Sequence, residues 1–356
     1  MNYSKRIEDV RKLILTKGLD SVLISSAHNK YYFGELFSSS GYIVITRSNQ
    51  YILVDFRYFE EIKSKNKLFE VILLSSKNTI EKRLQSIIIE EGLNKIGFEG
   101  KEISYDVYQS LKESVCCNLY SLDVSKIRSV KEGKEIEYIK KACNIADATF
   151  QYILSYIEAG MSEKTVENEL VRLMKEQGGE KESFDCIVAS GIRGALPHGK
   201  ASNKIINKGE LITLDFGVKY NYYCSDITRT ISLGRCSAEL LNVYEVVKAA
   251  GEEAMRKAKP NITMGELDYS ARDFIKKSGY GNFFGHNLGH GLGIQVHEYP
   301  SVAPDSDELL REGMVITIEP GIYIPNVGGV RIEEDILITR DGCSSLTNSS
   351  RELIVI

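Results

Sequence analysis

The sequence predicts an α+β chain, with an α/β module ahead of a larger unit built from two similar halves. Two patterns carry this reading. The first 125 residues alternate short apolar runs with helical periodicity. The rest repeats one plan twice: a pair of amphipathic helices, then a strand-rich segment holding two acids. A third observation marks where the chemistry lies. Four of the five histidines fall in order with four carboxylates, as His198, Asp215, Asp226, His286, His290, His297, Glu319 and Glu333.

The chain opens on MNYSKRIEDVRKLILTKGLD. Charges interrupt its apolar residues, so it reads as an amphipathic helix and not as a secretory signal. SVLIS (21–25), YIVIT (42–46), YILVD (51–55), VILLS (71–75) and KIGFE (95–99) predict strands. Helices are expected near 4–17, 79–91 and 104–114. This module holds no chemical motif, and its one histidine, His28, reads as structural or surface. The charged stretch SVKEGKE (129–135) marks the change of unit, with domains taken as 1–125 and 126–356.

A long helix follows. Ile136, Ile139, Cys143, Ala146, Phe150, Ile153 and Ile157 recur at threes and fours, which puts them on one face. Gly160 is placed to end it. Ser162 caps a second helix, with Val166, Leu170, Leu173 and Met174 on its apolar face, and Gly178 and Gly179 stop it. A third helix spans 238–258, ahead of Pro260, and Thr263 with Glu266 makes a capping box for a fourth, running to about Lys277. Ser162 and Thr263 are 101 residues apart, Asp215 and Glu319 are 104, and Asp226 and Glu333 are 107. These matched offsets predict two similar halves about a pseudo-twofold axis.

Each strand-rich segment reads as a hairpin with two acids. With a turn at Tyr220–Asn221, Asp215 and Asp226 oppose each other directly on one face. With a turn around Asn326, so do Glu319 and Glu333. Opposed Cβ atoms lie about 5 Å apart. Like charges there need a proton or a cation between them. Glu334 alternates to the other face, and Asp335 reads as a supporting or surface acid. The histidines lie in GHNLGHGLGIQVHE, whose glycines lack the GK[ST] of a phosphate loop. An oxygen-rich set with a single imidazole is a hard site, favouring Mn²⁺, with Co²⁺, Fe²⁺ or Zn²⁺ also able to bind. The best reason for the cluster is a two-metal hydrolytic site.

Composition narrows the classes. Lys and Arg total 45 against 49 for Asp and Glu, so the net charge is −4 and no basic surface for nucleic acid is expected. No apolar run approaches the ~20 residues of a membrane span. Seven scattered cysteines without a CxxC suit reduced thiols in the cytoplasm.

LPHG, LDFG, SDITRT, GHGLG, VHE, EPGIY and VRIE, in this order and spacing, resemble the pita-bread metallopeptidases, in the Xaa-Pro aminopeptidase and Xaa-Pro dipeptidase branch. The α/β module is similar to the creatinase-type N-terminal domain of that group. The resemblance implies two metal ions. Asp215 would bind one, Asp226 and Glu333 would bridge, and His290 with Glu319 would complete the other. His198, His286 and His297 would be site residues that are not ligands, and Tyr323 and Arg331 would support the metals. A metal-bridging hydroxide would attack the carbonyl before proline, Glu319 would shuttle the proton, and His297 would stabilise the oxyanion. His198 would hold the substrate carbonyl or the departing residue, and His286 would line the proline pocket. The N-terminal module would make a homodimer contact and limit access.

The short connection between Glu319 and Arg331 favours an aminopeptidase acting on peptides with proline at the second position. Xaa-Pro dipeptidase is the close rival. A methionine aminopeptidase needs no such N-terminal module, and a metal-free creatinase-like hydrolase lacks the full acid set. A pita-bread protein that only binds peptides or proteins is the alternative of another class.

Overall fold

The computed structural model describes residues 1–356. The chain divides into two compact units, Met1–Arg128 and Ser129–Ile356.

The first unit carries one six-stranded mixed sheet. Its strands are β1 (Ser21–Ile24), β2 (Tyr42–Thr46), β3 (Gln50–Asp55), β4 (Glu70–Leu74), β5 (Lys95–Phe98) and β6 (Asn118–Ser121), in the order β4-β3-β2-β1-β5-β6. Leu23, Val44, Leu53 and Ile96 of the sheet form a core with Leu84, Ile87 and Ile88 of α4 (Ile80–Glu91) and Leu111 of α5 (Tyr105–Ser114). The expected first helix is α1 (Tyr3–Thr16), which buries Ile7, Val10 and Ile14. Two further helices carry no clear sequence signal. In α2 (Ala27–Gly34) the last six residues are all buried, which erases any polar stripe. In α3 (Phe56–Lys65) none is buried, and Asp55 caps its first turn. His28 lies on α2 with its ring 3.8 Å from Glu102, as a structural histidine.

The second unit is two copies of one design. In the first, α6 (Gly133–Leu154) and α7 (Glu163–Glu176) cover an antiparallel sheet of β8 (Ile187–Ser190), β9 (Leu211–Phe216) and β12 (Ile227–Ser232). Before it comes the short β7 (Lys181–Glu182), which pairs with a hairpin of β10 (Val218–Tyr220) and β11 (Tyr223–Cys224). In the second copy, α8 (Ala238–Lys257) and α9 (Met264–Lys277) cover β13 (Gly289–Gly291), β15 (Val315–Ile318) and β18 (Glu334–Ile338). Two flanking strands, β14 (Glu298–Val302) and β19 (Cys343–Ser345), widen that sheet to five. The hairpin of β16 (Gly321–Ile324) and β17 (Gly328–Arg331) stands where β10 and β11 stand in the first copy.

Each half has its own apolar core, one including Phe150, Leu170 and Leu214, the other Val247, Leu267 and Ile316. The helix caps fall where expected. Ser162 accepts the Thr165 N–H, and Thr263 with Glu266 closes a full capping box. Even the isolated bridges repeat, Ser162 with Ile205 and Thr263 with Leu309.

Candidate metal centre

The hairpin register decides where the acids meet. Asp215 on β9 lies opposite Thr228, and Tyr220 lies opposite Tyr223. The turn is therefore Asn221–Tyr222, with φ of 45° and 71°. Two left-handed residues match the right-handed twist of paired strands, which favours this two-residue turn. The expected turn one residue earlier, with Asp226 facing Asp215, is corrected. The register carried one step on sets Asp226 across from Gly217, diagonal to Asp215 and on the same face. A Cβ at Gly217 would sit 2.0 Å from Ser225 O, so only glycine lets the strand before Asp226 come this close.

In the second half the expected pairing is found. Ile318 opposes Glu334 and Gly321 opposes Arg331, so the register on both sides sets Glu319 across from Glu333. Asn326 forms the turn in a left-handed conformation, at φ 62°. The strands part at the acids. Glu319 N–H bonds Leu288 O at 2.8 Å, and Glu333 N–H bonds Thr228 O at 3.0 Å in the other half. That last bond brings the acids of both halves together.

Ligand atoms of Asp215, Asp226 and Glu333 lie within 4.8 Å of one another, as do those of His290, Glu319 and Glu333. His290 Nε2 is 3.5 Å from Glu319 Oε1 and 3.7 Å from Asp226 Oδ2. Its Nδ1 lies 3.2 Å from Gly291 O. A carbonyl only accepts, so Nδ1 carries the proton and Nε2 turns a lone pair toward two acids. The flanking glycines permit this placement. A Cβ at Gly289 would fall 2.0 Å from Thr317 O, and one at Gly291 would fall 2.5 Å from Tyr299 O.

The electrostatics ask for cations. Burial raises the Asp226 carboxyl well above its ordinary range, and Glu333 adds repulsion. Burial and Glu333 do the same to Glu319, while Glu333 itself is pushed up to about 8 by burial and Asp215. Burial lowers His290 to about 4, which keeps it neutral. Asp215 Oδ1 and Asp226 Oδ1 are buried with no hydrogen-bond partner. Orphaned carboxylate oxygens, a lone pair and crowded acids fit divalent ions with oxygen-rich coordination.

The remaining expected residues surround this centre. Arg331 is buried and donates from Nη2 to Asp215 Oδ2 at 2.5 Å, from Nη1 to Tyr323 Oη at 2.9 Å and from Nε to Thr228 Oγ1 at 3.1 Å. Its Nη1 also reaches Pro197 O at 3.2 Å, next to the exposed His198. The loop bearing His198 is pinned by buried Glu163, which accepts from Arg193 and from the backbone N–H of Ser190 (2.8 Å) and Ser202 (3.1 Å). His286 Nδ1 lies 2.8 Å from Asn287 O, so Nε2 accepts from Tyr323 O–H, also at 2.8 Å. Burial lowers His286 to about 4, in keeping with that neutral state. Buried Asp268 plays the part of Glu163 in this half, binding the Leu288 N–H at 2.9 Å and Arg272, which in turn donates to His286 O at 2.7 Å. His297 is exposed, with its ring edge-on to His290 at 4.3 Å between centroids. It also falls within 4.8 Å ligand reach of Asp226 and His290, closer than expected of a non-ligand.

Several supports lie outside the expected set. Thr228 O–H donates to Glu333 Oε2 at 2.7 Å. Thr317 Oγ1 accepts the His290 N–H at 3.1 Å and bonds the Glu319 carboxylate. Each threonine is two residues from an acid on its strand, a period-2 relation legible in the sequence. Of the two readings of Asp335, the supporting one is found and the surface one is not, and Glu334 on the other face is buried as well. Asp335 is fully buried, and its Oδ2 accepts from Asp226 N–H at 2.9 Å and Cys143 Sγ–H at 3.3 Å. Glu334 is buried against Arg229 and lies 3.0 Å from Arg351 Nε. Both faces of these strands are covered, so no face was left to water.

Residues 137–340 match metallopeptidase family M24, and residues 6–130 match the creatinase/prolidase N-terminal domain. The chain belongs to family M24. It is a metal-dependent peptide hydrolase with a creatinase-type N-terminal domain and a pita-bread domain. The chain is 41% identical over 354 residues to the Xaa-Pro dipeptidase of Pyrococcus furiosus, covering 98% of this chain and 99% of that one. The solved Xaa-Pro dipeptidase from Bacillus anthracis matches with a TM-score of 0.97 at 40% identity, covering all of both chains. The X-Pro aminopeptidase from Thermotoga maritima matches with a TM-score of 0.87 at 36% identity, covering 95% and 98%. No helix of this M24 peptidase is long and apolar enough to cross a membrane.

Proposed function

We propose that this M24 peptidase cleaves Xaa-Pro bonds at a centre of two divalent ions held by Asp215, Asp226, His290, Glu319 and Glu333. The observation that carries the reading is the meeting of four acids and one neutral imidazole, with orphaned oxygens on Asp215 and Asp226. Asp215 would hold one ion, His290 and Glu319 the other, and Asp226 and Glu333 would contribute to both. Mn²⁺ suits these hard donors. Bound ions supply a nucleophilic water near neutral pH and polarise the scissile carbonyl.

The chain's own residues do the rest. An Xaa-Pro bond has no N–H for a peptidase to read, and its proline nitrogen must be protonated to leave. Glu319, half-buried at the edge of the acid cluster, takes the proton and delivers it to that nitrogen. His297 donates to the developing oxyanion from the exposed rim. His198, on its pinned loop, holds the substrate carbonyl or the departing residue. Neutral His286, fixed by Tyr323, lines the proline pocket. Arg331 and Tyr323 hold Asp215 and His286 in one hydrogen-bonded frame.

Two observations bear on substrate length. The short β16–β17 connection favours an aminopeptidase. Relatives named dipeptidase match along the whole chain, which takes force from that feature and tips the reading toward dipeptides. The N-terminal module is taken to make a homodimer contact and to limit access to the site. Seven cysteines, none in a disulfide, support a cytoplasmic setting.

The test is hydrolysis of a dipeptide Xaa-Pro against a tripeptide Xaa-Pro-Yaa, with Mn²⁺ and with chelator. Dipeptide cleavage alone, abolished by chelator, supports dipeptidase. Tripeptide cleavage makes it an aminopeptidase. Failure on both with metal bound removes the Xaa-Pro reading.

A further inference from the structure

An ion pair inside the loop that carries His297 has no part in the steps above. Glu298 follows His297 at the start of β14. Its Oε1 lies 2.8 Å from Lys131 Nζ, and the two side chains are only 1% and 2% exposed. Lys131 Nζ also donates to Ser129 O at 3.2 Å. The lysine backbone is fixed in turn, since its N–H bonds Gly313 O at 2.8 Å and Val130 bridges to Met314 beside β15.

The Glu298 carboxylate fills the inside of the turn. A Cβ at Gly293 would come within 2.3 Å of Oε1, and the Gln295 N–H reaches Oε2 at 3.5 Å. Gly293 O accepts the Cys224 N–H at 2.8 Å, which ties the turn to β11. A buried ion pair is costly to separate, so the turn has one favoured position, the one in which Glu298 meets Lys131. His297 is adjacent to that anchor, while its own ring is exposed.

We propose that Lys131 and Glu298 are positioning residues for His297, setting its ring against the reacting carbonyl. This rests on the reading that His297 acts in turnover. Neither residue touches the substrate. Their effect on the rate runs through the geometry of the neighbouring imidazole, where a misplacement near 1 Å can cost about a hundredfold.

The experiment is a double-mutant cycle on the metal-loaded full chain. Lys131→Met and Glu298→Gln are each expected to lower kcat by about tenfold or more, with KM within about twofold and metal content unchanged. In a His297→Ala background neither should lower kcat further, and Lys131→Arg should recover much of the rate. The proposal is overturned if Lys131→Met lowers kcat by the same factor in both backgrounds, costs bound metal, or leaves kcat intact. Should Lys131→Met fail to fold, Glu298→Gln carries the comparison, because it keeps the side chain's size and removes the charge that Lys131 pairs with. If His297→Ala itself leaves kcat unchanged, the reading of His297 falls and the role of the pair falls with it, while dependence of activity on metal is unaffected.

Discussion

Metal binding should release a proton from the acid cluster, and its apparent affinity should rise with pH. Burial and the neighbouring Asp215 push Glu333 up from an ordinary value near 4.5 to about 8. In the stripped, folded protein Glu333 therefore keeps a proton at pH 6.5 that the unfolded chain has already lost. A raised value means stability that is full below about 4.5 and is lost as pH rises through about 8. The ions need the ionised carboxylate, so the metal-loaded state escapes this loss. Between pH 6.5 and 8.5 Glu333 alone should favour the loaded state over the stripped state by about 2 kcal/mol, at 1.36 kcal/mol per proton per pH unit, and the raised Asp226 and Glu319 carboxyls act in the same direction, so this is a lower bound. That corresponds to affinity higher by at least about thirtyfold. His290 does not disturb the comparison, because burial holds it near 4, and in this window it is neutral with or without metal.

The assay is competition for Mn²⁺ against a chelator of known proton affinity, at both pH values. Titration calorimetry in two buffers of different ionisation enthalpy then counts released protons. Equal affinity at pH 6.5 and 8.5 with no proton released would refute the reasoning. The cluster would then be fully ionised without its ions, and crowding among the four acids would not be what the ions relieve.

Two further outcomes follow from the same geometry. Asp226→Asn keeps shape but removes the charge between the two ion positions, so metal content per chain should fall along with the rate; elemental analysis of the purified variant checks this, and full occupancy with full rate would remove the bridging role. Thr228→Val takes the O–H from Glu333 and an acceptor from Arg331. Two buried groups, Glu333 and Arg331, each lose a bond, at about 2–4 kcal/mol together, so the unfolding midpoint in denaturant should drop, and an unchanged midpoint would mean that water replaces the hydroxyl.

Much of the catalytic unit was legible because its signals are local. Capping residues, helix stripes and glycine stops each act within one or two turns of chain, and three of the four long helices of this unit lie where those signals put them, while α6 ends at Leu154, so Ile157 lies beyond it and Gly160 is not its stop. In the first unit α2 and α3 escaped for opposite reasons, one buried on nearly every side and the other buried on none. Neither leaves the mixed stripe that a 3.6-residue period detects. The turn of the first hairpin was misplaced by one residue because Tyr222 gives no sign that it accepts a left-handed backbone. That slip left the face shared by the acids intact. Moving the turn by one residue shifts the pairing by two positions, an even number, so Asp226 still points to the face that Asp215 shares.

What the sequence hid is the way each half completes the other. Thr228 stands two residues after Asp226, and Asp335 two residues after Glu333, so the two are counterparts in the repeat. Thr228 bonds Glu333 through its hydroxyl and its carbonyl, while Asp335 bonds the backbone N–H of Asp226. Each strand thus steadies an acid of the opposite half's pair, Glu333 or Asp226. Alternation along a strand reveals which residues share a face, but not that the face is covered by the other copy. An isolated half would expose these crossed bonds to water and leave its own acid without its brace. The site therefore belongs to the packing of two halves, and a substitution at Thr228 or Asp335 should disturb the acid of the half in which it does not lie.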